Sequence, residues 1–197
     1  MSTTTEDELR DALKASRLAA YHRLRGGYPI PLAGALYWIV LTVLGTRLEL
    51  PAWCMTAFIG TGLIFPVALI LSKILNVQFM KDKAAVDDLM IPAFLSMLMF
   101  WAYIVAAGQV APELLPLILA IGLSIHWPVI GWTYGRTALF SAHTLIRTAS
   151  VTALWLMFPE NRLVFIPAAV ALIYLGTVAA ILIDVKIINK GAASQIA

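Results

Sequence analysis

Six long apolar runs, separated by short polar turns, dominate the chain. They span about Tyr28 to Gly45, Ala52 to Leu71, Leu89 to Gly108, Leu114 to Tyr134, Thr137 to Phe158 and Leu163 to Ile183. A run of about 18 or more apolar residues is long enough to cross the roughly 30 Å hydrocarbon layer as a helix. The turns carry Arg47 and Glu49, Lys81 to Asp88, Gln109 to Glu113, Gly135-Arg136, and Pro159 to Arg162. The pattern predicts an all-α fold: a polytopic transmembrane helical bundle of six spans. Two prolines interrupt it. Pro66 in the second run and Pro128 in the fourth each leave the carbonyl four residues earlier without its helical partner, at Gly62 and Ser124.

Ahead of the runs lies a polar segment, residues 1–27. Thr5-Glu6-Asp7-Glu8 fits a capping box, and Leu9, Leu13, Ala20 and Leu24 recur at roughly helical spacing. These predict a short amphipathic N-terminal helix ending at Gly26-Gly27, carrying Arg10, Lys14, Arg17, Arg23 and Arg25, either on the inner membrane surface or solvated. The expected organisation is a cytoplasmic segment at 1–27, a six-span domain at 28–183 and a cytoplasmic tail at 184–197.

Composition sharpens this picture. The chain is 61% hydrophobic and 13% charged, where a soluble domain is nearer half apolar and a quarter charged. Its basic residues sit at span ends, so they read as topology signals and not as a nucleic-acid footprint. Eleven Lys/Arg fall on the side of the termini and two, Arg47 and Arg162, on the other, with Arg147 inside a span. That bias predicts both termini in the cytoplasm. Trp53 and Trp155 near the outer ends, and Tyr28, Trp132 and Tyr134 near the inner ends, suit an interfacial aromatic belt. Cys54 is the only cysteine, which excludes an internal disulfide and a Cys-based metal site. No apolar core follows the first basic residues closely, so the first run reads as retained and not as a secretory signal.

Arg147 breaks the pattern. It lies near the middle of the fifth run, where a charge costs roughly 2.5–3.5 kcal/mol on insertion scales, so it should face the bundle interior or a wet cavity. His143 sits one turn earlier on the same face, and Ser150 extends the stripe, with Arg136 at its inner end. His126 in the fourth run falls at a similar depth. No Asp or Glu occupies the central part of any run, and Asp87, Asp88 and Asp184 lie near the inner boundary. Two readings follow. In the first, Arg147 is satisfied structurally by the carbonyls that Pro66 and Pro128 free at Gly62 and Ser124. In the second, Arg147, His143, His126 and Ser150 hold a small anion or a lipid headgroup.

The two histidines also invite a haem reading, one axial ligand from each helix. Lone histidines in apolar chains are commoner without haem, and no cofactor or metal is expected. Gly60-Thr-Gly62 lies inside an apolar run with no strand before it and is no nucleotide fingerprint. Gly131 and Gly135 have the spacing for close helix approach, read here as packing near a helix end. The second and fourth runs share a Gly-Leu pair followed by Pro-Val, too weak a likeness for a repeat. Three strings, Gly60-Thr-Gly-Leu-Ile-Phe-Pro-Val-Ala-Leu-Ile-Leu-Ser-Lys73, Trp127-Pro-Val-Ile-Gly-Trp-Thr-Tyr134, and His143 through Arg147, resemble a family of small bacterial integral membrane proteins of unknown function. The resemblance covers most of 28–183 and implies bacterial origin and a six-span helical fold, with no activity attached. The expected function is a small transporter or channel with an intramembrane cationic site. The alternative is an accessory membrane protein in which the polar cluster only fixes helix packing. No catalytic constellation supports an enzyme. The expected partners are the bilayer and, since six short spans are few for a transporter, a second copy of the chain.

Overall fold

A computed structural model describes residues 3–77 and 85–194, and side chains over 5–77 and 86–188. The described residues form an all-α bundle without strands. Helix α1 (Thr3–Arg23) is followed by α2 (Pro29–Gly45) and α3 (Leu50–Ile74). Next come α4 (Met90–Met99) and α5 (Trp101–Val110), then α6 (Leu115–Gly122) and α7 (Trp127–Thr133), and finally α8 (Thr137–Met157) and α9 (Arg162–Ser194). Lys81 and Lys83, which entered the charge count, lie outside the described residues, as does the side chain of Lys190.

Five of the six expected runs yield helical stretches long and apolar enough to cross a membrane: Arg25–Gly45, Leu50–Ile74, Val86–Val110, Pro112–Thr133 and Pro159–Ile188. The remaining run is α8. At 21 residues it is as long as a span, but polar side chains from Ser141 to Thr152 make it less apolar than the other five. Its neighbours explain how a polar helix is accommodated: α6, α7 and α9 all pack against it. The centre of the bundle is α2 against α9, with α8 and α6 alongside, whereas α3 packs mainly on α2. No residue of α4 is buried.

Two runs are interrupted. The fourth breaks at residues 123–126, just before Pro128, which sits in the first turn of α7, where its missing N–H is tolerated. The third breaks at Phe100, without a proline or glycine at the break, and the Phe100 ring packs on Gly122 at the other break. By contrast α3 runs unbroken through Pro66, so the two Gly-Leu…Pro-Val segments differ in structure.

α1 is not laid apart from the bundle. Ala20, Tyr21 and Leu24 are buried against it, while Leu9 and Leu13 remain exposed. The helix is already under way at Thr3, so Thr5 is not its cap, and Glu6 instead pairs with Arg10 at 2.7 Å. The turn into α2 needs Gly26, which has φ 71 and lies so close to Ile181 that a Cβ would stand 2.3 Å from it. α9 continues as one helix past residue 183 to Ser194. The aromatic belt needs correction. Trp53, Tyr28 and Tyr134 are buried in the protein, and the Trp53 indole donates to the Leu41 carbonyl at 3.0 Å, tying α3 to α2. For these three rings, burial in the bundle takes the place of an interface position.

Candidate functional site

Helix α8 turns one stripe inward: Phe140, His143, Arg147 and Val151. Spacings of three and four residues put them on a single face. Arg147 is ten residues from either end of α8 and is fully buried.

Its guanidinium lies between two aromatic rings. The Cζ atom is 5.2 Å from the centroid of Trp38 on α2 and 5.1 Å from that of Tyr174 on α9. A desolvated cation over an aromatic face gains about 2 kcal/mol. Gly34, one turn before Trp38, makes the arrangement possible. A Cβ there would stand 2.9 Å from the Tyr174 ring, so only a glycine lets that ring lie across α2. No carbonyl or carboxylate accepts from its three nitrogens, and the hydrogen-bonding group that acts on it is the Tyr174 phenol. The polar groups that act on it are the phenols of Tyr174 and Tyr37, and the Tyr37 hydroxyl already donates to the Ala57 carbonyl at 2.8 Å.

His143 is held from three sides. Trp127 stacks on its ring at 4.2 Å with an interplanar angle of 15°, and Tyr174 lies 4.8 Å away. Its Nδ1 is 2.8 Å from the Thr177 hydroxyl oxygen. That hydroxyl donates its single proton to the Ile173 carbonyl at 2.8 Å, so Nδ1–H of His143 must be the donor to Thr177. In the neutral ring Nε2 is then a lone-pair acceptor, and it is buried without a partner. His126 sits at the break between α6 and α7 beside Phe94 and Trp127, its Nδ1 also buried and unpartnered. Both histidines thus lie against Trp127, and Arg147 acts electrostatically on both.

The kink carbonyls do not serve Arg147. The Ser124 carbonyl accepts from Thr144 Oγ1 at 3.0 Å and from the Trp127 amide at 3.1 Å, because the broken helix turns it toward its own next turn and the flank of α8. Gly62 and Pro66 lie on the exposed side of α3, and a Cβ on Gly62 would meet nothing within 4 Å. Ser150 is half-buried, and Val151 takes the inward place after Arg147. Gly131 packs against Phe140 across the α7–α8 turn, where Gly135 has positive φ.

Three further arginines, Arg17, Arg23 and Arg136, lie where α1 docks. Arg136 Nε donates to Asp184 at 2.7 Å, and Arg23 meets Asp87 at 3.4 Å. Arg17 stacks on Trp132 at 4.4 Å and donates to its carbonyl. Tyr21 is buried beside the Arg136–Asp184 pair; burial first, and the Asp184 carboxylate second, push its phenol above the usual range.

Two grooves flank these elements. One of about 460 Å³ between α2 and α3 is lined by apolar side chains with Tyr37 and Thr56. Another of about 290 Å³ between α8 and α9 reaches His143 and Thr177. Among the described residues no group of three or more His, Cys, Asp or Glu is placed to hold a metal ion.

Sequence reasoning found Arg147 and both histidines but missed Trp38, Tyr174, Tyr37 and Thr177. The available signal was that Trp38 and Tyr174 sit mid-run, where an interfacial belt places no aromatics. No curated protein and no solved structure matches the chain. One family model matches residues 13–184, from within α1 through to the Asp184 that pairs with Arg136. That match, over most of its length, makes the chain a member of DUF7010, a family of unknown function.

Proposed function

We propose that this is a small multi-pass protein of a bacterial inner membrane, with α8 as the sixth span and both termini cytoplasmic, whose interior holds an anion for a transport-like or channel-like role. One observation carries the reading: Arg147 is fully buried at the middle of α8, and its guanidinium nitrogens meet no carbonyl or carboxylate, only the Tyr174 phenol. A buried charge is ordinarily paired or hydrogen-bonded, and intramembrane arginines commonly mark ligand or ion paths. The breaks at Phe100 and at 123–126 support it, since transporters place their sites at interrupted helices. The exposed apolar faces of α3 and α4 suit lipid or a second copy of the chain.

The second reading is a non-transporting accessory protein in which the cluster only fixes packing. The Trp38–Arg147–Tyr174 sandwich favours it, because rings can stabilise the cation without a ligand. Neither reading is enzymatic. Anion flux into proteoliposomes separates them. Transport predicts loss of flux in Arg147→Ala and partial flux in Arg147→Lys. No flux in the wild type, or equal flux in all three correctly folded proteins, rejects the transport reading.

A further inference from the structure

We infer that the anion held at Arg147 is a small oxyanion carrying its own hydroxyl, of the hydrogencarbonate or dihydrogen phosphate kind, and not a halide or a fully deprotonated oxyanion. This rests on the anion-site reading above and specifies its ligand.

The argument is a count of donors and acceptors. The Tyr174 phenol can take at most two of the five Arg147 N–H groups, which leaves the others without an acceptor, and the Trp38 indole, whose ring lies 5.2 Å from the guanidinium, has a buried N–H without a partner. These donors call for an acceptor-rich, negatively charged ligand. One acceptor is fixed among them. Because Thr177 spends its proton on the Ile173 carbonyl, His143 donates through Nδ1 and presents Nε2 as a lone pair. The ring has little freedom to turn that lone pair away, since Trp127 stacks on it and Tyr174 lies against it. The same Tyr174 ring touches the Arg147 guanidinium, so cation and lone pair share one wall. A bare anion satisfies Arg147 and Trp38 but sets its charge against the His143 lone pair. An oxyanion with one O–H accepts from the arginine and the indole and donates to Nε2. His126, beside Trp127 with its own unpartnered Nδ1, borders the same site.

Nitrate and hydrogencarbonate provide the test. Both are planar, monovalent and of similar size, and only the second carries a proton. Binding of each is measured by tryptophan emission of the purified full chain in phosphatidylcholine nanodiscs at a pH where hydrogencarbonate predominates. We expect hydrogencarbonate to bind about tenfold more tightly or better, the difference that follows from leaving one buried acceptor unpaired. His143→Phe removes the acceptor and with it the preference, bringing hydrogencarbonate and nitrate to affinities within about threefold of each other. Should that variant fail to fold, Thr177→Val, which frees the imidazole tautomer, reduces the preference. Added phosphatidic acid, whose headgroup bears the same hydroxyl, competes if the natural source is a lipid and leaves affinity unchanged if it is a free ion. Equal binding, or tighter binding of nitrate, in the wild type overturns the inference while leaving the anion site standing. Binding of neither anion overturns both.

Discussion

Two groups of arginines in this bundle are treated in opposite ways. Where α1 docks, Arg136 and Arg23 meet carboxylates at 2.7 Å and 3.4 Å, and the side chains of both pairs are partly exposed. At the middle of α8, Arg147 is fully buried and meets no carboxylate, only the rings of Trp38 and Tyr174 and the phenols of Tyr174 and Tyr37. Partly hydrated ion pairs have a plain structural use: Arg23–Asp87 ties α1 to the turn before α4, and Arg136–Asp184 ties the start of α8 to α9. A cation placed deep inside without a carboxylate is a poor fastener, because its desolvation is offset only by ring faces and neutral phenols. The contrast teaches that the partly exposed arginines at these junctions are met by carboxylates, whereas the deeply buried Arg147 is met by aromatic side chains.

The sharpest way to break the comparison is to delete each kind of arginine contact in turn. Arg147→Ala should reduce anion affinity at least a hundredfold while the protein still folds, measured by binding in nanodiscs. A buried charge-assisted contact of this sort is worth about 3 kcal/mol or more. Asp184→Asn should leave anion affinity unchanged but lower stability by about 1–2 kcal/mol, between the values for exposed and buried pairs. Denaturant titration in mixed micelles reads that loss, and Arg136→Gln combined with it should add little. Gly34→Ala presses a methyl against Tyr174 and should weaken anion affinity several-fold by moving one wall of the cage, with little change in the Arg136–Asp184 region. The smallest effect belongs to Trp38→Phe, which keeps a ring but loses the indole N–H. It should cost about 1 kcal/mol in binding, and the indole N–H resonance that shifts on anion addition should disappear.

Much of this contrast was legible in the sequence. Arg147, His143 and His126 stood out because polar side chains are conspicuous in apolar runs. Asp184 and Asp87 were recognisable as lying away from the centre. The break before Pro128 followed from the missing amide, whereas the break at Phe100 had no proline or glycine to announce it. The partners of Arg147 were not legible. Trp38 and Tyr174 are 136 residues apart in the chain, on α2 and α9, and aromatic residues inside spans look unremarkable until two helices bring them to one cation. The expected carbonyl partners failed for a local reason. A break in a helix frees a carbonyl, but Thr144 lies nearer to Ser124 than the guanidinium does in bonding terms and takes it. The dual character of His143 depended on a threonine hydroxyl of α9 that no spacing rule connects to it.

The most direct test of the central claim observes the Arg147 guanidinium itself. Solid-state NMR of the protein in bilayers, labelled with 13C and 15N at arginine and assigned by difference against Arg147→Lys, resolves its Cζ and nitrogen resonances. On titration with hydrogencarbonate, those resonances should shift and saturate while the signals of Arg136 and Arg23 stay in place. Guanidinium signals of Arg147 that do not respond to any added anion would contradict the account and leave Trp38 and Tyr174 as the only partners of that arginine.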